Sequence, residues 1–438
     1  MRTGWIALGV ILGSASAGAA EVLSFESLWD QVRGRAPELE SARHEAEAAR
    51  IAADRAGRYF WPRLTLDGRA VSTNDAGSSL FSLLGQRSVQ PSDFAPGALN
   101  RPGASFFQKG SLLLDLPLYQ GGQGAAMSEA ARQESESRRL ARDAILRGSR
   151  AEAASQYAAL LVARGEEERL SALSERLTRI LSRYELGSRS NPVGYSGYLG
   201  LRSLRARLAG LLEKNRAEQK AIRTALSVRA GREARDWVPA GDSAQGFLSG
   251  VLGADEASAS LALSVLAAQR AADASEAAAG AEKARFLPRV GAFAQGDMLH
   301  GERNTGASYS AGAYLQWELF SPTSWGSVSQ GSLQAQAARS RAVAAAEEAR
   351  IGSEQARESL PSIEANLGLL RESLELSDEQ MRTADTLFRN GSINALQLVE
   401  VLSRRADLVL ARSQAEMQWV QVRTRLHLVS GGTQGESR

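Results

Sequence analysis

The sequence predicts a mainly α-helical chain with a β-barrel part. Long antiparallel helical hairpins are expected to form an α-barrel, and four strands per chain to enter a membrane. Three observations carry this reading. Two stretches of about 60 residues, from Gly122 to about Arg183 and from about Ser327 to Leu387, hold almost no Pro or Gly; each would make about 90 Å of helix. Four segments of about ten residues alternate apolar and polar side chains, the length of a tilted membrane strand. The same order of elements occurs twice along the 438 residues.

Composition agrees with long helices better than with a thick core. Hydrophobic residues make up 43%, but aromatics only 6%, and much of the apolar share is Ala, a strong helix former that buries little area. The absence of cysteine excludes disulfides, thiolate metal sites and a cysteine nucleophile. Charges are interspersed, 52 basic against 49 acidic for a net +3, which gives no nucleic-acid signal. His44, His300 and His427 lie far apart in sequence, so a histidine metal site is not expected.

The elements then follow in order. Arg2, an apolar run from Trp5 to Leu12 and the small residues Ala17-Gly18-Ala19-Ala20 read as a secretory signal over 1–20, too short for a membrane-spanning helix. No Cys follows the cleavage site, so no lipid anchor is expected there. A first repeat spans 21–230, with a strand hairpin at 62–118 and a helical hairpin at 122–230. A break rich in Gly covers 231–255. The second repeat spans 256–430, with a strand hairpin at 288–319 and a helical hairpin at 323–430; 431–438 is a flexible tail. The repeat shows in matched pieces. Trp61-Pro62-Arg63-Leu64 returns as Leu287-Pro288-Arg289-Val290, Leu114–Tyr119 returns as Leu315–Phe320, and Tyr184-x-x-Gly187-Ser188 returns as Phe388-x-x-Gly391-Ser392.

Within the strands, Leu64, Leu66, Gly68 and Ala70 oppose Arg63, Thr65, Asp67 and Arg69, and Leu112, Leu114, Leu116 and Leu118 oppose Ser111, Asp115 and Pro117. In the second half Val290, Ala292 and Ala294 oppose Arg289, Gly291 and Gln295. The fourth strand runs from Ser310 to Leu319. Surface hairpins on a soluble sheet would show the same alternation. Residues 73–108 read as a long exposed loop and 298–308 as its shorter twin. Pro361 marks a kink in the second long helix. The returning helices carry heptad seams: Leu201, Leu204, Leu208, Leu211, Asn215, Glu218, Ile222 and Ala225 in the first, and two interleaved seams starting at Leu396 and Leu398 in the second. Two seams let a helix pack on both sides, as a closed tube requires; a single antiparallel coiled-coil hairpin is the simpler alternative.

A signal segment, a duplicated strand hairpin and a duplicated helical hairpin together resemble the outer-membrane efflux protein family, the TolC-like channels. The specific pieces are Leu116-Pro117-Leu118-Tyr119-Gln120-Gly121-Gly122, similar to the family's strand-to-helix exit through Pro117, Gly121 and Gly122, and the paired aromatic-x-x-Gly-Ser turns. The resemblance implies a homotrimer with a shared 12-stranded barrel in outer-membrane lipid and a periplasmic helical tunnel. It implies a periplasmic adaptor, an inner-membrane pump and a passive conduit opened at its tip. Tyr184, Gly187, Ser188, Arg189, Phe388, Gly391 and Ser392 would then form the tip that meets the adaptor, and Gln397 and Glu400 the pore constriction. The family's outer acidic position holds Gln397 here, so one ring of Glu400 carboxylates is expected, favouring cations. Glu400 as a solvated helix carboxylate is the plainer reading.

No enzyme and no cofactor are expected. Gly121-Gly122-Gln123-Gly124 lacks the Lys of a phosphate loop and reads as a turn. Glu166-Glu167-Glu168 reads as a solvated face, and Asn390-Gly391-Ser392 as a tight turn. The alternative function is a soluble periplasmic coiled-coil scaffold.

Overall fold

The computed structural model describes residues 21–184, 192–232, 237–253 and 261–430. The expected signal segment, the tail 431–438, and Gly187, Ser188 and Arg189 lie outside the described residues. In chain order the elements are β1 (Glu21–Leu23), α1 (Phe25–Arg33), α2 (Pro37–Ala56), β2 (Arg63–Thr73), α3 (Ala76–Gly85), α4 (Pro96–Asn100), β3 (Ser105–Tyr119), α5 (Gln123–Ser182) and α6 (Pro192–Ala230). There follow β4 (Trp237–Pro239), α7 (Ala244–Leu252), α8 (Leu263–Ala284), β5 (Arg289–Gly301), β6 (Thr305–Gln316), α9 (Ser327–Arg389) and α10 (Ala395–Val429). Two compact units result, one from 43–141 with 264–345, the other from the described residues of 21–42, 142–263 and 346–430.

The first unit holds a four-stranded antiparallel sheet in the order β2-β3-β5-β6. Paired residues share a face, so the register sorts side chains across all four strands. Arg63, Asp67 and Arg69 of β2, Lys109, Ser111 and Asp115 of β3, Gln295 and Asp297 of β5, and Ser308 and Ser310 of β6 lie on one side. Leu64 and Leu66, Leu112 and Leu114, Ala292 and Ala294, Ala311 and Leu315 lie on the other. The polar side is knit across strands: Ser111 donates to Asp297 Oδ1 at 2.8 Å, Lys109 approaches it at 3.4 Å, and Tyr314 donates to Asp115 Oδ1 at 2.9 Å. The apolar side is uncovered in the single chain, with Leu66 79% and Leu315 68% exposed. Beside the sheet, Ala-rich α8 packs by small residues: a Cβ on Gly331 of α9 would stand 3.4 Å from Ala279 Cα.

Several expectations for this unit need correction. The segment 73–108 is not a plain loop. Asp75 caps α3 by accepting from Ser78 N–H at 2.7 Å, α4 follows, and β3 already begins at Ser105. A clasp holds this segment to the β5–β6 turn. Buried Gln86 accepts from the Arg303 and Asn304 N–H groups at 3.2 and 3.3 Å, and Arg303 grips Asp93 with two bonds of 2.7 and 2.8 Å. That grip holds the Asp93 carboxyl below its usual range. The twin at 298–308 is mostly strand, because pairing continues to His300↔Thr305. The fourth strand ends at Gln316, where β5 runs out of partners; Trp317 instead donates its indole N–H to Phe286 O at 3.0 Å.

In the second unit the two halves of the chain meet. The segment 231–255, read as a break, contains β4 and α7, counterparts of β1 and α1, and β4 pairs in parallel with β1 from Glu21↔Trp237 to Leu23↔Pro239. Tyr157 of α5 ties the pair. Its hydroxyl donates to Leu23 O at 2.6 Å and accepts from Ala240 N–H at 2.6 Å, inside a cage of Phe25, Trp237 and Phe247. Burial holds the Tyr157 hydroxyl above its usual pKa.

Leucines of four helices build a further core: Leu170 and Leu177 of α5, Leu201 and Leu208 of α6, Leu374 of α9, and Leu398 and Leu402 of α10. The α6 seam follows expectation to Leu208 and then slips. Leu212, Gln219 and Leu226 are buried where Leu211, Glu218 and Ala225 were expected. The steps become 3-4-4-3-4-3-4, an extra four that locally unwinds a supercoil and keeps the buried ridge on one side of a straighter helix. On α10 one buried ridge draws on both expected seams, Leu398 from one and Ala406 and Ser413 from the other, with Leu402 and Val409 between them. α9 carries Pro361 in its interior and continues on both sides. Glu167 is not a solvated charge. It accepts from Arg216 at 2.8 Å and Gln219 at 2.7 Å, continuing a buried chain from Asn215, and the Arg216 bond holds its carboxyl below the usual range.

His427 of α10 is 7% exposed, and its Nε2 accepts from Arg147 Nε at 3.1 Å. Burial first, then the charges of Arg147, Arg150 and Arg423, lower its pKa from 6.5 to about 4. The unfolded chain takes up this proton near 6.5 and the folded chain near 4, so stability present above pH 6.5 is lost as pH falls through that window. Melting temperature is expected to drop between pH 6.5 and pH 4. His427→Gln, which keeps an acceptor but cannot titrate, should flatten that part of the profile; an unchanged profile in the variant excludes this histidine as the cause.

Candidate functional site

Two regions were expected to matter, the strand-to-helix exit and the turn between α9 and α10 with its partner at the end of α5. The exit is a sharp turn built by backbone conformation. At Pro117, which cannot donate to a ladder, β3 carries a bulge: Pro117 pairs with Gly291 and Tyr119 with Val290, leaving Leu118 unpaired. Gly121 and Gly122 then adopt φ of +65° and +84°, and α5 starts at Gln123. Gly121 is doubly constrained. A Cβ there would stand 2.7 Å from both Ala284 O and Leu287 Cβ, so glycine permits a turn and a close approach together.

The α9 end is a Schellman motif. The Ser392 N–H reaches back to Leu387 O at 2.8 Å, the Gly391 N–H to Phe388 O at 3.1 Å, and Gly391 takes φ +71°. Asn394 then opens α10 with a capping box: its side chain accepts from Gln397 N–H at 3.0 Å, while Gln397 Oε1 accepts from Asn394 N–H at 3.0 Å. Gln397 therefore serves the turn itself. Glu400, three residues on, lies on the exposed side and pairs with Arg404 at 2.5 Å, both side chains more than half exposed. Such a pair contributes little to stability.

The structure brings the expected aromatics together. Tyr184 stacks on Phe388 with ring centroids 6.1 Å apart and planes 7° apart, and also on Tyr198 at 5.9 Å. The Tyr184 hydroxyl donates to Gly194 O at 2.8 Å, fastening the end of α5 to the start of α6. Residues that sequence reasoning missed surround this stack. Arg176 and Arg179 of α5, Arg183 just past its end, and Asp385 and Arg389 of α9 line a recess of about 480 Å³. The spacing of the three arginines at i, i+3 and i+7 before the turn was a readable signal.

No protein-family model matches the chain, and no curated protein matches it. Among solved structures it is similar to CusC, described as forming a transmembrane channel, with TM-score 0.78 and 13% identity over 96% of each chain. It is similar to the outer membrane protein VceC of Vibrio cholerae, with TM-score 0.75 and 15% identity over 93% of this chain and 96% of that one. The open-state MtrE outer membrane channel of Neisseria gonorrhoeae gives 0.71 and 17%, over 93% and 89%. At these identities the likeness establishes the fold: long helices and strands arranged as in outer-membrane channel proteins.

The two glycines separate strain from crowding. Gly391→Ala, at similar φ with open space around it, should cost about 1 kcal/mol. Gly121→Ala adds overlap with backbone and should cost at least about 2 kcal/mol more. Denaturant titration of both variants checks this; equal losses would mean that the contact at Gly121 relaxes freely.

Proposed function

We propose that this chain is the outer-membrane exit duct of a tripartite efflux or secretion system: a passive homotrimeric conduit, opened at its periplasmic tip by an adaptor and driven by an inner-membrane pump. The observation that carries the reading is the sheet. Its four strands are 11, 15, 13 and 12 residues long, one face is apolar and exposed, the other is polar and cross-linked, and β2 and β6 are edges. In hydrocarbon an unpaired edge costs several kcal/mol per backbone group, so such a sheet is stable in a bilayer only when closed. Four strands are too few; bacterial barrels start at eight, and three copies give twelve. Among the described residues no helix is long and apolar enough to cross a membrane, so the strands are what the bilayer would meet. The likeness to outer-membrane channels supports the same assignment. A soluble scaffold gains no support from leucines 68% and 79% exposed on one face of the sheet.

In this reading the polar sheet face lines a water-filled lumen, and the aromatic stack with its glycine turn forms the adaptor-binding tip. Glu400 would line the constriction, its charge tempered by Arg404 one turn along. Outer-membrane fractionation, native mass in detergent and conductance in planar bilayers test the assignment; a soluble monomer without conductance overturns it. Within the channel, Glu400→Ala should reduce the K⁺ over Cl⁻ permeability ratio by about half or more, and Arg404→Gln should raise it. If neither variant moves the ratio, Glu400 is not at the constriction.

A further inference from the structure

The recess at the end of α5 and α9 carries an imbalance of charge that the fold itself does not use. Among the described residues, four guanidinium groups, from Arg176, Arg179, Arg183 and Arg389, line it, against one carboxylate, Asp385. That carboxylate is already taken: Arg389 bonds it and Arg176 lies 3.7 Å away, with Arg176 also donating to Met381 O at 3.0 Å. Arg179 and Arg183 have no carboxylate partner among the described residues, although both are exposed and stand one turn apart. Their neighbours at the recess are the flat rings of Tyr184 and Phe388, locked by stacking.

Some arginines of the long helices are paired locally, as in Arg164–Glu168 of α5 and Arg404–Glu400 of α10, while others, such as Arg341 and Arg350 of α9, are exposed with no carboxylate partner among the described residues. What sets Arg179 and Arg183 apart is that the two unpaired guanidiniums stand together beside stacked aromatic rings. Guanidinium forks bind carboxylates bidentately, and aromatic faces give apolar area at little entropic cost. The like charges of Arg179 and Arg183 also repel each other until an anion arrives, so an incoming carboxylate relieves repulsion as well as forming bonds.

We propose that this recess is a carboxylate-reading docking site for an acidic segment of the protein that engages the tip, with Arg179 and Arg183 as its anion-binding residues and Tyr184 and Phe388 as its apolar floor. The inference rests on the tip being the partner-facing end; it adds the chemistry of the partner, an acidic peptide in place of an apolar or basic one. Charge complementarity at a surface sets encounter rate and register, and it weakens with salt.

The test uses the full-length protein in detergent and a fluorescein-labelled hexaglutamate peptide, followed by anisotropy. Binding is expected in dilute buffer and should weaken steeply as salt rises. R179E/R183E should lower affinity by about tenfold or more, and R179K/R183K should keep part of it, because lysine supplies charge without the fork. R341E/R350E, which makes the same change in net charge at exposed positions of α9, should change affinity less than about twofold. Equal losses in the two reversed variants, or no peptide binding by the wild type, overturn the proposal. Binding to phosphatidylglycerol vesicles without binding to the peptide overturns it in favour of a lipid headgroup. Conductance of the same preparations keeps the two readings apart: a conducting trimer that ignores the peptide sinks this inference alone, whereas a non-conducting protein sinks the channel assignment.

Discussion

Everything in the strand-bearing unit follows from one constraint: backbone groups at a sheet edge must find partners, and a four-stranded sheet cannot supply them to itself. β2 and β6 are the edges, and both alternate between an apolar and a polar face over most of their length, the pattern breaking at Val71 and Ser72 of β2 and at Thr305 of β6. In water such an edge invites aggregation, and in lipid it is forbidden. Closure with further copies removes the edges and at once hides the question of which face is core. In the proposed channel the apolar face would need no protein to cover it, since lipid would do so. Internal cross-links such as Lys109–Asp297–Ser111 then keep the polar face ordered where a packed core would otherwise do so.

The helical unit solves a different problem with the same economy. Tyr157 joins the two halves of the chain through one hydroxyl, bonded to Leu23 and Ala240, so that short three-residue strands suffice where a full sheet would be bulky. The four-helix core is one leucine layer thick, and its seams are not pure heptads. The slip after Leu208 places Leu212 inward and lets Gln219 reach Glu167. A strict heptad would have wound α6 around its neighbour; the mixed spacing holds it closer to straight over 39 residues.

The legible parts of the sequence were those governed by local rules. The 60-residue helix, the period-two strands, the glycine turns at Gly121, Gly122 and Gly391 and the aromatic pair Tyr184 and Phe388 all follow from propensity, alternation or φ, and all are seen. The illegible parts depend on partners distant in sequence. Gln86 and Asp93 looked like loop residues because their bonds go to Asn304 and Arg303, more than 200 positions away. β4 escaped notice because three residues, the last a proline, form a strand only when β1 lies beside them. The choice between Leu211 and Leu212 was equally open, since a leucine pair satisfies either heptad phase and α10 decides. At the turn, Gln397 was legible as a position and not as a role: its bond to Asn394 makes it a cap.

The charge at the turn shows the same dependence on assembly as the sheet edge. In one chain Glu400 has a cation one turn along, and a paired carboxylate beside solvent projects little field. Three copies around an axis would bring three such pairs together. The sign of the potential on the axis is then fixed by which partner projects further inward, because at separations of a few ångströms the nearer charge dominates. In the proposed trimer, selectivity would depend on the rotation of α10, and the buried ridge Leu398, Leu402 and Ala406 is what fixes that rotation within one chain. Packing along that ridge would decide whether Glu400 or Arg404 faced the axis, so the leucine seam would set the filter through which the carboxylate acts.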